Sequence, residues 1–349
     1  MSSKSPRQGC DFASDVGRPG TACQPTACRR RHHVDTMLSK SGPNGTQTGE
    51  NLMKLVTFKS AAGARAGILL AEGVVDLSRC DPKLPQSVRG ILEAGEPALR
   101  RLQSIANAPP RDALVANATL LAPIPDPRIV LSCGMNYREH LHEMNTPVPA
   151  TPTSFTKSVA SIIGTGEAIR LPASNPDMVD WEGEFSAVIG RPCHRVSEAH
   201  ALDYVAGYTL VNDVSARDWV APFFAAEGRM QAINTWEHNL LGKMLPTFCP
   251  MGPVVATADE LGDPGNLPIQ TRVNGEVVQS SNTNDLVFGV ATLVAYYSQF
   301  YQLMPGDVIT TGSPSGVGYG MTPKRFLRDG DVVEVEVKGI GILRNPVRR

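Results

Sequence analysis

The chain has 349 residues, 42% of them hydrophobic, enough to bury one large core with a smaller unit beside it. A formal net charge of -1 offers no electrostatic pull toward nucleic acid or anionic lipid, so neither is expected as a partner. Apolar runs end well short of the ~18 residues a membrane-crossing helix needs, and the seven cysteines lack paired spacing, so a soluble protein of the reducing cytoplasm is expected.

Residues 1–52 are rich in Ser, Gly, Pro, Thr and Arg and show no apolar periodicity, which reads as a disordered leader. Cys23, Cys28, His32 and His33 miss the usual zinc spacings, and Asp11, Asp15 and Asp35 argue against reading Arg29-Arg30-Arg31 as part of a transit peptide. From Met53 the pattern changes. Short strands are expected at 55–58, 66–70 and 74–76, followed by helices at 88–94 and 98–106, together a small N-terminal α+β domain spanning 53–122. Pro123, Pro125 and Pro127 form a stiff connection into a main domain, 123–349. Strand patterns dominate there, at 205–211, 308–311, 332–337 and 341–343, and Asn274-Gly275 inside 271–278 is a strong hairpin signal.

Four segments could carry chemistry. A helix opened by Asn136 in 134–144 would place His140 and Glu143 at i and i+3 on one face, where the carboxylate could orient the imidazole and raise its basicity. On its own this is equally a polar surface helix, and His142 falls off that face. In the strand-like run 179–190, Glu182 and Glu184 alternate onto one face, either as a solvated strand face or as a pair of oxygen ligands for a hard divalent cation. Asp213 ends the apolar run 208–212, as a helix cap or as a third ligand that leaves positions open for water and substrate. The Gly-rich loop 310–318 follows a strand and could offer backbone N–H groups to an anion, but it lacks the Gly-Lys-Ser/Thr ending of a phosphate loop.

The order of these pieces is more informative than any one of them. N-Y-x-x-H-x-x-E at 136–143, E-x-E-F at 182–185, N-D-V-S-A-R-D at 212–218, Gly242-Lys243 ahead of 247–253, T-G-S-P-S-G-V-G at 311–318 and the G-D-V-V-E-V-E and G-I-G segments at 330–341 together resemble the fumarylacetoacetate hydrolase family over roughly 128–349. The resemblance implies an α+β, mostly β fold, a mixed β-sandwich roll with the small N-terminal domain, forming a homodimer. It implies Glu182, Glu184 and Asp213 as ligands to Mg2+ or Mn2+, with Ca2+ a further candidate. It also implies His140, Glu143 and Lys243 as catalytic residues, with Ser313 and Arg217 as contacts to a small 2-oxo acid substrate. Two departures are Val220, where several members carry Gln, and Met244-Leu245-Pro246 after the lysine.

The expected reaction is hydrolysis of a carbon–carbon bond in an acylpyruvate or 1,3-diketo acid. His140, oriented by Glu143, would deprotonate water, while the cation and Lys243 would stabilise the expelled enolate. The same enolate chemistry would serve a decarboxylase, an isomerase or a 2-keto-3-deoxy acid hydratase. A metal-binding protein without catalysis is the remaining alternative.

Overall fold

The computed structural model describes residues 53–349, so the readings placed on 1–52 lie outside the described residues. The first strands in chain order are β1 (Lys54–Ser60), β2 (Gly63–Leu70), β3 (Gly73–Asp76), β4 (Leu114–Val115), β5 (Val130–Ser132) and β6 (Phe155–Lys157). They are followed by β7 (Ile162–Ile163), β8 (Ile169–Arg170), β9 (Val179–Asp180), β10 (Gly183–Ile189), β11 (Val205–Asn212) and β12 (Ser215–Ala216). The last are β13 (Cys249–Thr257), β14 (Pro268–Val273), β15 (Glu276–Asn282), β16 (Val308–Thr310), β17 (Val332–Val337) and β18 (Gly341–Arg348). The helices are α1 (Leu77–Cys80), α2 (Val88–Ala94), α3 (Glu96–Asn107), α4 (Arg138–Glu143), α5 (Glu198–Ala201), α6 (Val220–Phe224), α7 (Arg229–Leu241), α8 (Ala258–Leu261) and α9 (Val290–Tyr297).

Among the described residues the strands form an α+β, mostly β architecture. An eleven-stranded sheet runs β4-β3-β2-β1-β13-β11-β10-β16-β5-β6 with β7 beside β13, and a five-stranded sheet runs β15-β14-β17-β18-β8. β1 joins the segment before Pro123 to the rest through its antiparallel pairing with β13, Leu55 opposite Val255.

Both faces of the large sheet are covered, which is why β10 and β13 are buried at every position instead of alternating. On one face Phe185, Leu210 and Ile309 pack with Leu293 and Val294 of α9 and with Ile269, Val335 and Val337 of the second sheet. On the other, Val188, Val211 and Val308 meet Ile91 of α2 and Leu102 of α3. α3 turns Ala98, Leu102, Ile105 and Ala106 inward, the i, i+4, i+7, i+8 spacing of an amphipathic helix. The Asn274-Gly275 hairpin forms as expected: φ is 56° and 82° at the two residues, the left-handed pair that a two-residue turn matching strand twist requires.

Two local expectations are corrected. The run 179–190 is not one strand: it breaks at Trp181-Glu182, because β9 leaves the large sheet to pair with β12 while β10 pairs with β11. Nor does Asn136 open the helix, which begins at Arg138 with Tyr137 at the cap position. The Asn136 amide instead donates to the Phe288 and Thr311 carbonyls and accepts from the Phe288 N–H, tying two loops together.

Candidate active site

Sheet register assembles the acidic cluster. Gly183 lies opposite Asn212 and Glu184 opposite Val211, so the next residue, Asp213, comes level with Glu182 and its N–H donates to the Glu182 carbonyl at 2.8 Å. The three carboxylates are buried and offer oxygens that all lie within 4.8 Å of one another.

Three buried cations surround them. Lys243 Nζ donates to Glu182 Oε2 at 2.5 Å, to Asp213 Oδ2 at 2.7 Å and to Ser215 Oγ at 2.7 Å, which uses all three of its protons. Lys157 Nζ lies 2.5 Å from the other oxygen of the same aspartate, Asp213 Oδ1. Arg217 bridges Asp180 Oδ2, at 3.0 Å, and Glu182 Oε1. Its guanidinium is therefore engaged by two carboxylates on the cavity wall, where it holds Glu182 in place.

The electrostatics separate the two glutamates. Burial opposes ionisation of Glu182, but the charges of Arg217 and Lys243 outweigh it and hold its carboxyl below the usual range. Burial and then the nearby charges of Asp213 and Glu182 push Glu184 well above that range. Lys243 is raised: burial works against its charge, and Asp213 and Glu182 overcome that. Four carboxylates, Asp180, Glu182, Glu184 and Asp213, thus face three cations, and Glu184 is the one without a counter-charge. Its Oε2 is buried and has no hydrogen-bond partner. An all-oxygen donor set with one uncompensated carboxylate fits a hard divalent cation.

The second group comes from α4. His140 Nδ1 is 2.8 Å from Glu143 Oε2, and Glu143 Oε1 accepts the Gly316 N–H at 2.9 Å. In the tautomer that donates from Nδ1 to Glu143, the ring nitrogen with the lone pair is Nε2. His142 is exposed.

Two N–H groups of the Gly-rich loop, and the one that follows it, are taken up within the protein. The N–H groups of Gly318 and Tyr319 donate to Asp180, Gly316 N–H donates to Glu143, and the Trp181 indole donates to the Gly316 carbonyl. The cavity above, about 380 Å3, has the acidic cluster, His140, Lys243 and Ser313 on its polar side and Met135, Met144, Phe155, Phe223, Trp236 and Leu240 on its apolar side. Val220, the departure from the family pattern, also lines it.

The structure thus brings His140, Glu182, Glu184, Asp213, Arg217, Lys243 and Ser313 to one cavity, with Glu143 behind His140. Sequence reasoning missed Lys157, Asp180 and Gln279. Lys157 ends the short strand β6 between Thr156 and Ser158, where nothing in the spacing marks it. Asp180 and Gln279 sit in strand patterns that look ordinary.

A buried carboxylate cluster and a His–Glu pair share one cavity in a mostly β fold, the arrangement of an enzyme site built on carboxylates. Residues 129–348 match the family described as "Fumarylacetoacetate (FAA) hydrolase C-terminal", and the chain belongs to that family of enzymes. It is 42% identical over 308 residues to the mitochondrial oxaloacetate tautomerase fahd2 of Xenopus laevis, covering 87% of this chain and 93% of that protein. Among solved structures it resembles the fumarylacetoacetate hydrolase of Exiguobacterium antarcticum, with a TM-score of 0.72, 35% identity and coverage of 85% and 99%. It also resembles the 5-carboxymethyl-2-hydroxymuconate delta-isomerase of Mycobacterium smegmatis, with a TM-score of 0.64, 33% identity and coverage of 85% and 100%.

Proposed function

We propose that this chain is a divalent-cation-dependent enzyme that moves a proton at the carbon beside the 2-oxo group of a small 2-oxo dicarboxylic acid, interconverting the enol and keto forms of an oxaloacetate-like substrate. The observation that carries the reading is the His140–Glu143 pair at 2.8 Å, with His140 Nε2 left open on the cavity that holds the acidic cluster. The name of the Xenopus laevis relative supports the substrate class.

Glu182, Glu184 and Asp213 would hold Mg2+ or Mn2+, with Ca2+ a weaker candidate for the same oxygen ligands. When bound, the cation would polarise the 2-oxo group and offset negative charge on its oxygen. The chain's own residues do the rest. His140 takes a proton from carbon 3 of the keto form and, as an imidazolium stabilised by Glu143, gives it to the 2-oxo oxygen to complete the enol; the reverse transfers restore the keto form. Lys243 bridges Glu182 and Asp213, and Arg217 holds Glu182, so the ligand carboxylates keep their places. Phe223, Trp236 and Leu240 of α6 and α7 give the cavity an apolar side.

One observation favours a second reading. The apolar side of the cavity has room for an acyl chain, which suits hydrolysis of an acylpyruvate by a water that His140 deprotonates; the name of the Exiguobacterium antarcticum structure agrees with it. Two assays separate them: the decay of enol absorbance on adding oxaloacetate, and pyruvate release from a panel of acylpyruvates. Tautomerisation predicts a cation-dependent rate in the first and none in the second. His140→Ala should lose about 100-fold or more of whichever rate is present while keeping its affinity for Mn2+. A His140→Ala variant with full turnover would remove the proton-transfer role.

Free thiols at Cys80, Cys133, Cys193 and Cys249 support a reducing compartment. The cytoplasm and the mitochondrial matrix both meet that condition, and the relatives' names point to the second. No described helix is long and apolar enough to cross a membrane. Imaging the full chain against one starting at Met53 decides the compartment, and light scattering tests the expected homodimer.

A further inference from the structure

Gln279 lies on β15, is 1% exposed, and touches both halves of the site. Thr271 pairs with Gln279 and Arg272 with Val277, so Val278 is an extra residue, and this bulge turns the Gln279 side chain inward. Its Oε1 accepts the N–H of Gly183, the residue between Glu182 and Glu184, at 3.0 Å. Its Nε2 donates to the Pro314 carbonyl at 2.8 Å and to Ser313 Oγ at 2.9 Å.

The orientation of this amide is forced from both sides. A backbone N–H can only donate and a carbonyl can only accept, so Oε1 must face Gly183 and Nε2 must face Pro314. The second Nε2 proton then goes to Ser313, whose oxygen must accept it. Ser313 keeps its own proton. Among the described residues its one protein acceptor is the Pro314 carbonyl, at a long 3.4 Å, where the Gln279 Nε2 donor lies closer at 2.8 Å. Ser313 lines the cavity, so that proton is available to a ligand there.

We infer that Gln279 is a positioning residue that makes Ser313 a hydrogen-bond donor to the substrate, so that this edge of the cavity selects an anionic or carbonyl oxygen of a 2-oxo acid. The same side chain fixes the peptide between two of the acidic ligands, and so sets the distance between the cation site and the substrate donor. The inference rests on the 2-oxo acid reading above.

The test is a double-mutant cycle on Gln279→Leu and Ser313→Ala, read by calorimetry with pyruvate as the probe in saturating Mg2+, and with Mg2+ alone. Without its amide partner, Ser313 turns its proton to the freed Pro314 carbonyl. Each single variant is expected to weaken pyruvate about tenfold, the scale of one hydrogen bond to a charged group, while the double variant loses no more than either single one. Ser313→Thr, which keeps the hydroxyl, should bind as the wild type does. Mg2+ affinity should move by less than about threefold in Ser313→Ala, which leaves the ligands and the Gly183 peptide untouched; in Gln279→Leu saturating Mg2+ keeps the cation site filled while pyruvate is read. If Gln279→Leu does not fold, Gln279→Met, which likewise lacks the donor and adds no charge, replaces it in the cycle and the same non-additivity is expected. Additive losses, or a loss of Mg2+ affinity in Ser313→Ala in step with its loss of pyruvate, would show a merely structural role and overturn the inference while leaving the 2-oxo acid reading intact. A wild type that binds Mg2+ but no pyruvate would remove the 2-oxo acid reading itself, and the inference with it.

Discussion

Lys157 Nζ lies 2.5 Å from Asp213 Oδ1, with the lysine side chain 0% and the aspartate 1% exposed. Lys243 holds the other oxygen of the same carboxylate. Asp213 is thereby fixed at both oxygens, and its orientation toward Glu182 and Glu184 follows from two lysines on separate segments of the chain.

Lys157→Met should therefore be costly. Removing one member of a fully buried pair leaves an uncompensated charge, a loss of about 3–5 kcal/mol. A drop in the urea midpoint with unchanged slope would show it. A variant as stable as the wild type would mean that Lys243 alone suffices for Asp213.

Glu184→Gln should act in the opposite direction on the metal-free protein. Burial and the charges of Asp213 and Glu182 disfavour the Glu184 carboxylate, so a neutral side chain of the same shape relieves that strain. The melting temperature without divalent ions should rise, and the further rise produced by Mn2+ in the wild type should disappear. Equal Mn2+ stabilisation of both proteins would remove Glu184 from the ligand set.

Gly183→Ala tests the packing between the two glutamates. An added Cβ would meet Thr271 Oγ1 at 2.1 Å and both Val335 methyls at 3.1 Å, because the second sheet presses on β10 at this point. We expect a loss of about 1–3 kcal/mol from overpacking, with weakened Mn2+ affinity as Glu182 and Glu184 move apart. Thr271→Ala in the same chain should restore part of both; no rescue would place the fault elsewhere.

The thiols supply a chemical check. Burial pushes Cys133 and Cys249 up to about 12 and Cys193 to about 11, so at pH 8 almost none of each is thiolate. Iodoacetamide mapped by mass spectrometry should leave all three unmodified in the folded protein and label them in urea. Cys80, less buried, should react first among the four.

Much of this was legible from the chain. α2 occupies the expected 88–94, β17 the expected 332–337, and the Asn274-Gly275 turn falls where it was placed, since each depends on contacts a few residues away. The helices at 220–241 were not foreseen. α7 buries only Asn239 and leaves Met230 and Trp236 exposed, so it lacks the apolar stripe that announces a surface helix. The Gly-rich loop was located correctly but its partners were not, because Asp180 and Glu143 reach it from 138 and 173 residues away.

The sequence by itself determined the family, the order of the motifs and which side chains could supply carboxylate, imidazole and ammonium groups. These are properties of residue identity and local spacing. Only the tertiary structure decided that Lys157, Asp180 and Gln279 belong to the site, that Arg217 is held by Asp180 and Glu182, and that Glu184 alone lacks a counter-charge. The reason is physical: charge balance in a buried cluster depends on which distant strands the sheets bring within about 3 Å of one another, and spacing along the chain does not encode that distance.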